Sequence, residues 1–102
     1  MQSRLYNAIG LCQKAGKAQS GAFAAEKAIR SGSAKIVLLE NGASEATKAQ
    51  YQALCSSRNI PLYLVETVGE AIGKPSRVVM AVTEEAFQKM IEGALPKTEP
   101  GV

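Results

Sequence analysis

The stretch Ile36-Val-Leu-Leu39, followed by the pair Asn41-Gly42, decides the fold class of this chain. All four residues of the stretch are apolar, which is typical of a strand that is buried on both faces. Asn-Gly is a turn sequence, so the chain is predicted to change direction soon after the strand. A strand covered on both sides needs helices above and below its sheet. The stretch therefore predicts a layered α/β fold.

The segments on either side alternate between helical and strand-like patterns. Further strands are predicted at Leu62–Val65 and at residues 78–82, and residues 17–20 form either a connector or a short strand. Helical spacing predicts a first helix that ends by Gly16. It predicts further helices over residues 21–31, 44–58 and 67–73, and a last one after Thr83. We expect a single-domain three-layer α/β/α sandwich around a small mixed sheet. Its domain spans residues 1–95, and a flexible tail spans residues 96–102.

Helical spacing also predicts the ends and the inward faces of the helices. Ser44 and Thr83 are predicted to cap the third and the last helix, and Thr67-Val-Gly-Glu70 is a capping box. The residues predicted to face inward on the second and last helices are Ala25, Ala28, Ile29, Ala86, Phe87, Met90 and Ile91. Cys12 and Cys55 fall at core positions and are expected to be reduced thiols.

The composition favours a cytoplasmic, non-enzymatic protein. The 102 residues include no histidine, so the commonest general base and the commonest metal ligand are both missing. Neither a metal nor a cofactor is expected. The apolar runs are no longer than strands, and no signal peptide is recognised at the start of the sequence, so no membrane association is expected.

Charge is distributed unevenly along the chain. The formal net charge is +3, but residues 1–77 carry ten Lys and Arg against five Asp and Glu. A polyanionic partner would explain this asymmetry, and ordinary surface charge is the alternative.

The second helical segment is the first candidate for contact with a polyanion. Phe23, Lys27 and Arg30 are spaced to line up on the face opposite the predicted core, where the ring could stack on a base and the cations could meet phosphates. Gly21 at the helix start would allow close approach, and the free amides there attract anions. The alternative is that Phe23 folds beneath the first helix and that the charged face is merely solvated.

Two loops supply the remaining candidates. Residues 74–77 form a basic loop suited to backbone contacts with nucleic acid, or a polar connector. Glu40 and Asn41 follow the buried strand and either bond to base edges or form a turn, while Lys17 and Lys48 could extend the patch. The full candidate set is Lys17, Ser20, Gly21, Ala22, Phe23, Lys27, Arg30, Glu40, Asn41, Lys48, Lys74, Pro75, Ser76 and Arg77.

The order of these motifs resembles the kink-turn-binding ribosomal protein superfamily, which includes the archaeal large-subunit protein of the "seven-Ae" type. The resemblance is carried by Lys-Ala-Gly-Lys17, Ser20-Gly21, Ala-Ile-Arg-Ser-Gly-Ser-Ala-Lys35, Ile-Val-Leu-Leu39, and the segments 43–48, 59–61, 71–74 and 77–83. The resemblance covers about residues 3–95. Within the superfamily, the motifs look most like those of the bacterial YlxQ group. The resemblance implies a monomer that binds structured RNA, either ribosomal or another non-coding RNA, with no DNA partner and no catalysis. The ribosome or other proteins are further candidate partners.

The resemblance also implies where RNA would bind. The superfamily pattern at the start of the second helix is Gly, any residue, Asn, Glu, any residue, Thr, Lys. Gly21 and Lys27 match it, whereas Phe23, Ala24 and Glu26 stand at the positions of Asn, Glu and Thr. A protein-interaction module that kept the fold and lost RNA recognition is the alternative function.

Overall fold

A computed structural model describes residues 3–95 of the chain, so the predicted tail at residues 96–102 lies outside the described residues. The described part contains five helices and four strands in alternating order. The helices are α1 (Ser3–Lys14), α2 (Ala22–Ser31), α3 (Glu45–Ser56), α4 (Gly69–Ile72) and α5 (Glu85–Ala94). The strands are β1 (Ala18–Ser20), β2 (Ile36–Glu40), β3 (Leu62–Val65) and β4 (Val79–Val82).

The four strands form one mixed sheet in the order β1-β4-β2-β3. β2 and β3 are parallel, whereas β4 runs antiparallel to both of its neighbours. Leu38 of β2 is aligned with Met80 on one side and with Tyr63 on the other. This topology places the last residues of β1, β2 and β3 beside the first residue of β4, at one end of the sheet.

Helices cover both faces of the sheet, which confirms the predicted three-layer sandwich. One face packs Ile36 and Leu38 against α1, α4 and α5, and the other packs Val37 and Leu39 against α2 and α3. Residues 36–39 are each 0% exposed. Their uniformly apolar character therefore has a direct cause, because alternate side chains enter the two different cores.

Most predicted helix ends are confirmed. The hydroxyl of Ser44 accepts a first-turn N–H of α3, and the hydroxyl of Thr67 accepts the N–H of Glu70 at 3.2 Å. The prediction that Thr83 caps α5 is wrong. Its hydroxyl instead donates to the carbonyl of Lys17 at 3.1 Å and ties the end of β4 to the start of β1.

The inward faces are confirmed for α2 but only partly for α5. Phe87 packs on the core and Ile91 is buried, whereas Ala86 and Met90 are exposed. The apolar stripe of α5 is thus centred on Phe87 and Ile91, which lie four residues apart on one side of the helix. Met90 is turned by about 100° from Ile91 and reaches solvent.

Both cysteines are buried free thiols, as predicted. Burial raises the pKa of Cys12 to about 11, with a smaller contribution from the charge of Glu84. Burial also raises the pKa of Cys55. Because the thiolate is the reactive form, these two side chains act as core residues.

Candidate functional site

The end of the sheet where β1, β2 and β3 finish brings together most of the candidate residues. The N–H of Gly21 donates to the carbonyl of Val79 at 2.9 Å, which sets the start of α2 beside β4. The N–H of Glu40 donates to the carbonyl of Val78 at 2.9 Å. The junctions β1–α2, β2–α3 and α4–β4 therefore meet at this end, although they are far apart in sequence.

The start of α2 offers unpaired backbone amides. Gly21 precedes the helix with φ 90° and ψ 159°, and no side chain within residues 3–95 caps the first turn. The first turn contains no acidic residue. The first N–H groups of a helix have no intrahelical partner and form the positive end of the helix dipole. This helix start can therefore receive an acceptor that carries negative charge.

Arg77 lies directly against Gly21. A Cβ atom added to Gly21 would stand 2.9 Å from Nη1 of Arg77 and 3.3 Å from its Cδ. The side chain is half-buried, and its Nε is buried with no hydrogen-bond partner within residues 3–95. A guanidinium group and the positive end of a helix thus adjoin each other. An anion between them would be stabilised by both groups.

The basic loop 74–77 is folded tightly over Gly69. A Cβ atom at Gly69 would lie 2.7 Å from the carbonyl oxygen of Lys74 and 2.9 Å from those of Pro75 and Arg77. The N–H of Lys74 donates to the carbonyl of Gly69 at 2.8 Å, and the N–H of Arg77 donates to the carbonyl of Lys74 at 2.9 Å. Lys74, Pro75 and Ser76 are exposed on the outside of this loop. The loop thus presents them on a backbone of defined shape.

Glu40 points towards the start of α4. Its Oε2 accepts hydrogen bonds from the N–H of Val68 at 2.8 Å, the N–H of Gly69 at 3.0 Å and the hydroxyl of Thr67 at 3.1 Å. Burial acts to raise the pKa of Glu40, but these hydrogen bonds outweigh it and hold the pKa below its ordinary value. The charged carboxylate therefore bonds within the protein. Asn41, by contrast, is exposed at the turn after β2.

The exposed face of α2 continues from the same end of the sheet. Phe23 is 84% exposed, so the alternative in which it folds beneath α1 is wrong. It shares a shallow groove of about 490 Å³ with Lys27 and Gln19. An aromatic ring and a cation one helical turn apart thus stand free beside the start of α2.

Arg30 and Lys17 lie further from this end, whereas Lys48 lies near the start of α3, beside β3. Arg30 is about 10 Å along the helix from Phe23. Its Nη2 lies 3.9 Å from Oε1 of Glu26.

Lys17 precedes β1 at the opposite end of the sheet, and its Nζ lies 3.8 Å from Oε2 of Glu84. Lys48 lies on α3, with Nζ 3.5 Å from Oε2 of Glu45, in a groove beside β3. Lys17 is therefore not brought together with the start of α2, and Lys48 lies on the side of α3 next to β3.

Sequence reasoning missed two residues at this end. Gly69 supports loop 74–77, and Val78 is 38% exposed at the base of the loop although it was assigned to a buried strand. A glycine inside the capping box Thr67-Val-Gly-Glu70 was the available signal for close backbone contact. No comparable signal marked Val78.

The described residues 3–95 also bear on metal binding and on membrane insertion. Within that part of the chain, no group of three or more Cys, Asp or Glu side chains could hold a metal ion. None of the helices described there combines the length and the apolar character needed to cross a membrane.

The chain is similar in sequence to a known protein family and to two named proteins. Residues 3–92 match the model of the Ribosomal protein L7Ae/L30e/S12e/Gadd45 family. A Bacillus subtilis (strain 168) protein named RNA-binding protein YlxQ is 39% identical over 82 residues, covering 78% of this chain and 82% of the relative. The Enterococcus faecium protein of the same name is 34% identical over 99 residues, covering 90% and 95%.

Two solved structures are similar to the whole domain. A Bacillus halodurans protein of unknown function has a TM-score of 0.83 at 29% identity, covering 89% of this chain and 95% of its own. The Giardia lamblia 15.5kD RNA binding protein has a TM-score of 0.73 at 16% identity, covering 90% and 82%. At that identity the second likeness is one of fold.

Proposed function

The chain belongs to the Ribosomal protein L7Ae/L30e/S12e/Gadd45 family, and from that premise we propose that it binds structured RNA without catalysing a reaction. Two relatives that are 39% and 34% identical to it over the aligned residues are named RNA-binding proteins. The observation that supports the proposal most directly is the contact of Arg77 with Gly21 at the uncapped start of α2. The RNA is ribosomal or another non-coding RNA, and the protein acts as a cytoplasmic monomer.

In this proposal a backbone phosphate binds where α2 begins. The free first-turn amides and the guanidinium of Arg77 bond to its oxygens, as charge-assisted hydrogen bonds. Phe23, which is 84% exposed, stacks on an unpaired base. Lys27 meets the next phosphates along the helix, while Lys74 and Ser76 contact the RNA backbone from the loop.

Base recognition would differ from the superfamily pattern. Phe23 and Ala24 cannot donate or accept the hydrogen bonds that Asn and Glu make, and each missing bond costs about 1–3 kcal/mol. Glu26, at the Thr position, accepts the hydroxyl of Tyr51 at 3.1 Å and is turned towards α3. Binding would therefore rest on phosphate contacts and stacking, which suit a bent RNA with an unpaired base.

A titration at two salt concentrations tests the proposal. A kink-turn RNA and a control with its G·A pairs disrupted would be added to the wild type, to Arg77→Ala and to the matched control Arg58→Ala. We expect binding that weakens as salt rises, because neutralised phosphates release counterions. We also expect weaker binding for Arg77→Ala alone.

The two RNAs identify the ligand more closely. Preference for the intact motif would keep the kink-turn as a target, and equal binding would indicate another structured RNA. If the wild type bound neither RNA at the lower salt concentration, the proposed function would be refuted.

A second candidate function is docking of a protein partner. The exposure of Phe23 favours it, because an isolated aromatic residue can anchor an interface. Salt-insensitive capture of a protein, lost in Phe23→Ala and retained in Arg77→Ala, would support docking over RNA binding.

A further inference from the structure

We propose that Glu40 is a positioning residue of the RNA-binding surface, which sets the place of Arg77 and does not itself touch RNA. This inference rests on the proposed function. Sequence reasoning placed Glu40 among residues that could bond to base edges, and its contacts suggest a different role. Three successive contacts lead from its carboxylate to the start of α2.

The first contact joins β2 to α4. Oε2 of Glu40 accepts two backbone N–H groups, from Val68 at 2.8 Å and Gly69 at 3.0 Å, and the Thr67 hydroxyl at 3.1 Å. Three donors converge on one oxygen, so this carboxylate orients the entry to α4 with high specificity. β2 is one of the two inner strands of the sheet and residues 36–39 are buried, so the carboxylate anchors α4 to the core of the fold.

The second contact joins α4 to loop 74–77. Gly69 donates to Glu40 through its N–H and accepts the N–H of Lys74 through its carbonyl at 2.8 Å. Three loop carbonyls stand 2.7 to 2.9 Å from where a Cβ of Gly69 would be. The loop therefore follows any displacement of Gly69, because no free space separates them.

The third contact joins the loop to α2. Arg77 closes the loop through its N–H bond to the carbonyl of Lys74 at 2.9 Å, and its guanidinium lies against Gly21. Arg77 is the residue that the proposed function places on the RNA phosphate. Glu40 thus reaches the RNA surface only through Gly69 and the loop.

The charge of Glu40 argues against direct contact between its carboxylate and RNA. A carboxylate facing RNA would repel phosphates, whereas here its charge is compensated by three donors within the protein. The same hydrogen bonds hold the pKa of Glu40 below its ordinary value, so the donors favour the charged form that accepts them. The described contacts are those of an internal bond.

A double-mutant cycle separates the two roles. The kink-turn RNA is titrated with the wild type, Glu40→Ala, Arg77→Ala and the double variant, and with a second cycle in which Lys27→Ala replaces Arg77→Ala. We expect Glu40→Ala to weaken binding roughly tenfold in the wild-type background and less than twofold in the Arg77→Ala background. The effects of Glu40→Ala and Lys27→Ala should multiply, because Lys27 lies outside the chain of contacts.

Glu40→Gln and Thr67→Val keep the test valid if Glu40→Ala fails to fold. Gln keeps a carbonyl that can accept the same donors, and we expect it to retain most of the affinity that Ala loses. Thr67→Val removes one donor to Oε2, together with the acceptor for the N–H of Glu70, while Glu40 stays in place, and it should weaken binding about twofold to threefold. Equal losses in Gln and Ala that persist in the Arg77→Ala background would overturn the inference, because they would indicate direct contact.

Amide hydrogen exchange tests the positioning role without RNA. The amides of Lys74 and Arg77 should exchange about tenfold faster in Glu40→Ala than in the wild type, while the amides of β2 keep their protection. Unchanged exchange at both amides would refute the positioning role whatever the RNA does. If the wild type bound no RNA, the proposed function would be refuted. Amide hydrogen exchange would still show whether Glu40 orders loop 74–77.

Discussion

The two ends of α2 are built in opposite ways. At its C-terminal end, Gly32 adopts φ 83° and ψ 8° and donates its N–H to the carbonyls of Ala28 and Ile29. The N–H of Ser33 also bonds to the carbonyl of Ala28, at 3.0 Å. Nη1 of Arg58 donates to the carbonyl of Arg30 at 3.0 Å. The carbonyls of Ala28, Ile29 and Arg30 are thus satisfied from inside the protein.

The N-terminal end lacks comparable partners. Gly21 contributes no side-chain cap, the first turn has no acid, and the neighbouring charged group is the cation Arg77. Caps and first-turn acids usually stabilise such an end by about 1 kcal/mol. We call the C-terminal end of α2, where carbonyls are bonded within the protein, the completed end, and the N-terminal end, where amides are free within residues 3–95, the open end. The free amides and the adjacent cation indicate that an external anion binds at the open end.

The two positive-φ glycines at the ends of α2 form the first comparison. Gly21→Ala should lower the free energy of unfolding by about 1–3 kcal/mol, because its backbone conformation is almost confined to glycine. It should lower RNA affinity roughly 100-fold, since the new Cβ also displaces Arg77 and two charge-assisted contacts are lost. Urea unfolding and RNA titration measure the two effects.

Gly32→Ala is the control for that comparison. A Cβ at Gly32 meets nothing within 4 Å, so only the left-handed conformation is strained. We expect a loss of about 1 kcal/mol in stability and unchanged RNA affinity. Equal RNA losses in the two variants would contradict the proposed difference between the ends.

The two arginines at the ends of α2 give the second comparison. Arg77→Ala should weaken RNA binding roughly 30-fold and reduce the slope of log K against log salt by about 1, because one phosphate contact is lost. Arg58→Ala should change RNA affinity less than twofold while lowering stability by about 1 kcal/mol, since it removes only the bond to the α2 carbonyl. Titrations at three salt concentrations provide the slopes.

Phe23 tests whether the open end also stacks on a base. Phe23→Ala should weaken RNA binding roughly tenfold, within the range of about 1–3 kcal/mol for base stacking. Stability should change by less than about 0.5 kcal/mol, because the ring contributes little to the core. Leu11→Ala, which removes an apolar side chain 52% exposed on α1, is the control and should leave RNA binding unchanged.

The cations along α2 test how far RNA follows the helix. Lys27→Ala should weaken RNA binding about threefold to fivefold, because an exposed phosphate contact contributes about 1 kcal/mol. Arg30→Ala should have less than a twofold effect, since Arg30 lies near Glu26 and closer to the completed end. A larger effect for Arg30 than for Lys27 would move the RNA towards the C-terminal end.

Acid should affect the open end through Glu40. Its pKa lies below the ordinary value of 4.5, so the folded state favours the carboxylate and gains stability above that pH. This contribution is lost as the pH falls through the lowered pKa. The stability advantage of the wild type over Glu40→Gln should therefore shrink as the pH falls below 4.5, as urea unfolding at several pH values would measure. A constant difference would contradict the role assigned to the carboxylate.

Local sequence was a good guide to the layers and a poor one to particular contacts. The apolar residues 36–39 and the spacing of Ala25, Ala28 and Ile29 predicted burial correctly, because each pattern follows from strand or helix geometry. Met90 was wrongly placed inward because its distance from Phe87 fits a helical stripe, and only the position of α5 on the sheet fixes which side of that stripe is buried. Helical geometry also placed Phe23 opposite the core of α2, but only the structure excluded its folding beneath α1.

The residue pattern was enough to predict the α/β sandwich and the basic character of loop 74–77, whereas the structure was needed to show that Phe23 is exposed. Tertiary structure alone decided that Arg77 lies on Gly21, 56 positions earlier in the chain, and that Glu40 bonds to the start of α4. It also decided that Lys17 lies at the opposite end of the sheet and that Lys48 lies beside β3. Periodicity predicts the approximate buried side of a helix or strand, because it depends on residues only a few positions apart. Which loops meet depends on the order and direction of the strands, and this order arises only when the whole sheet assembles.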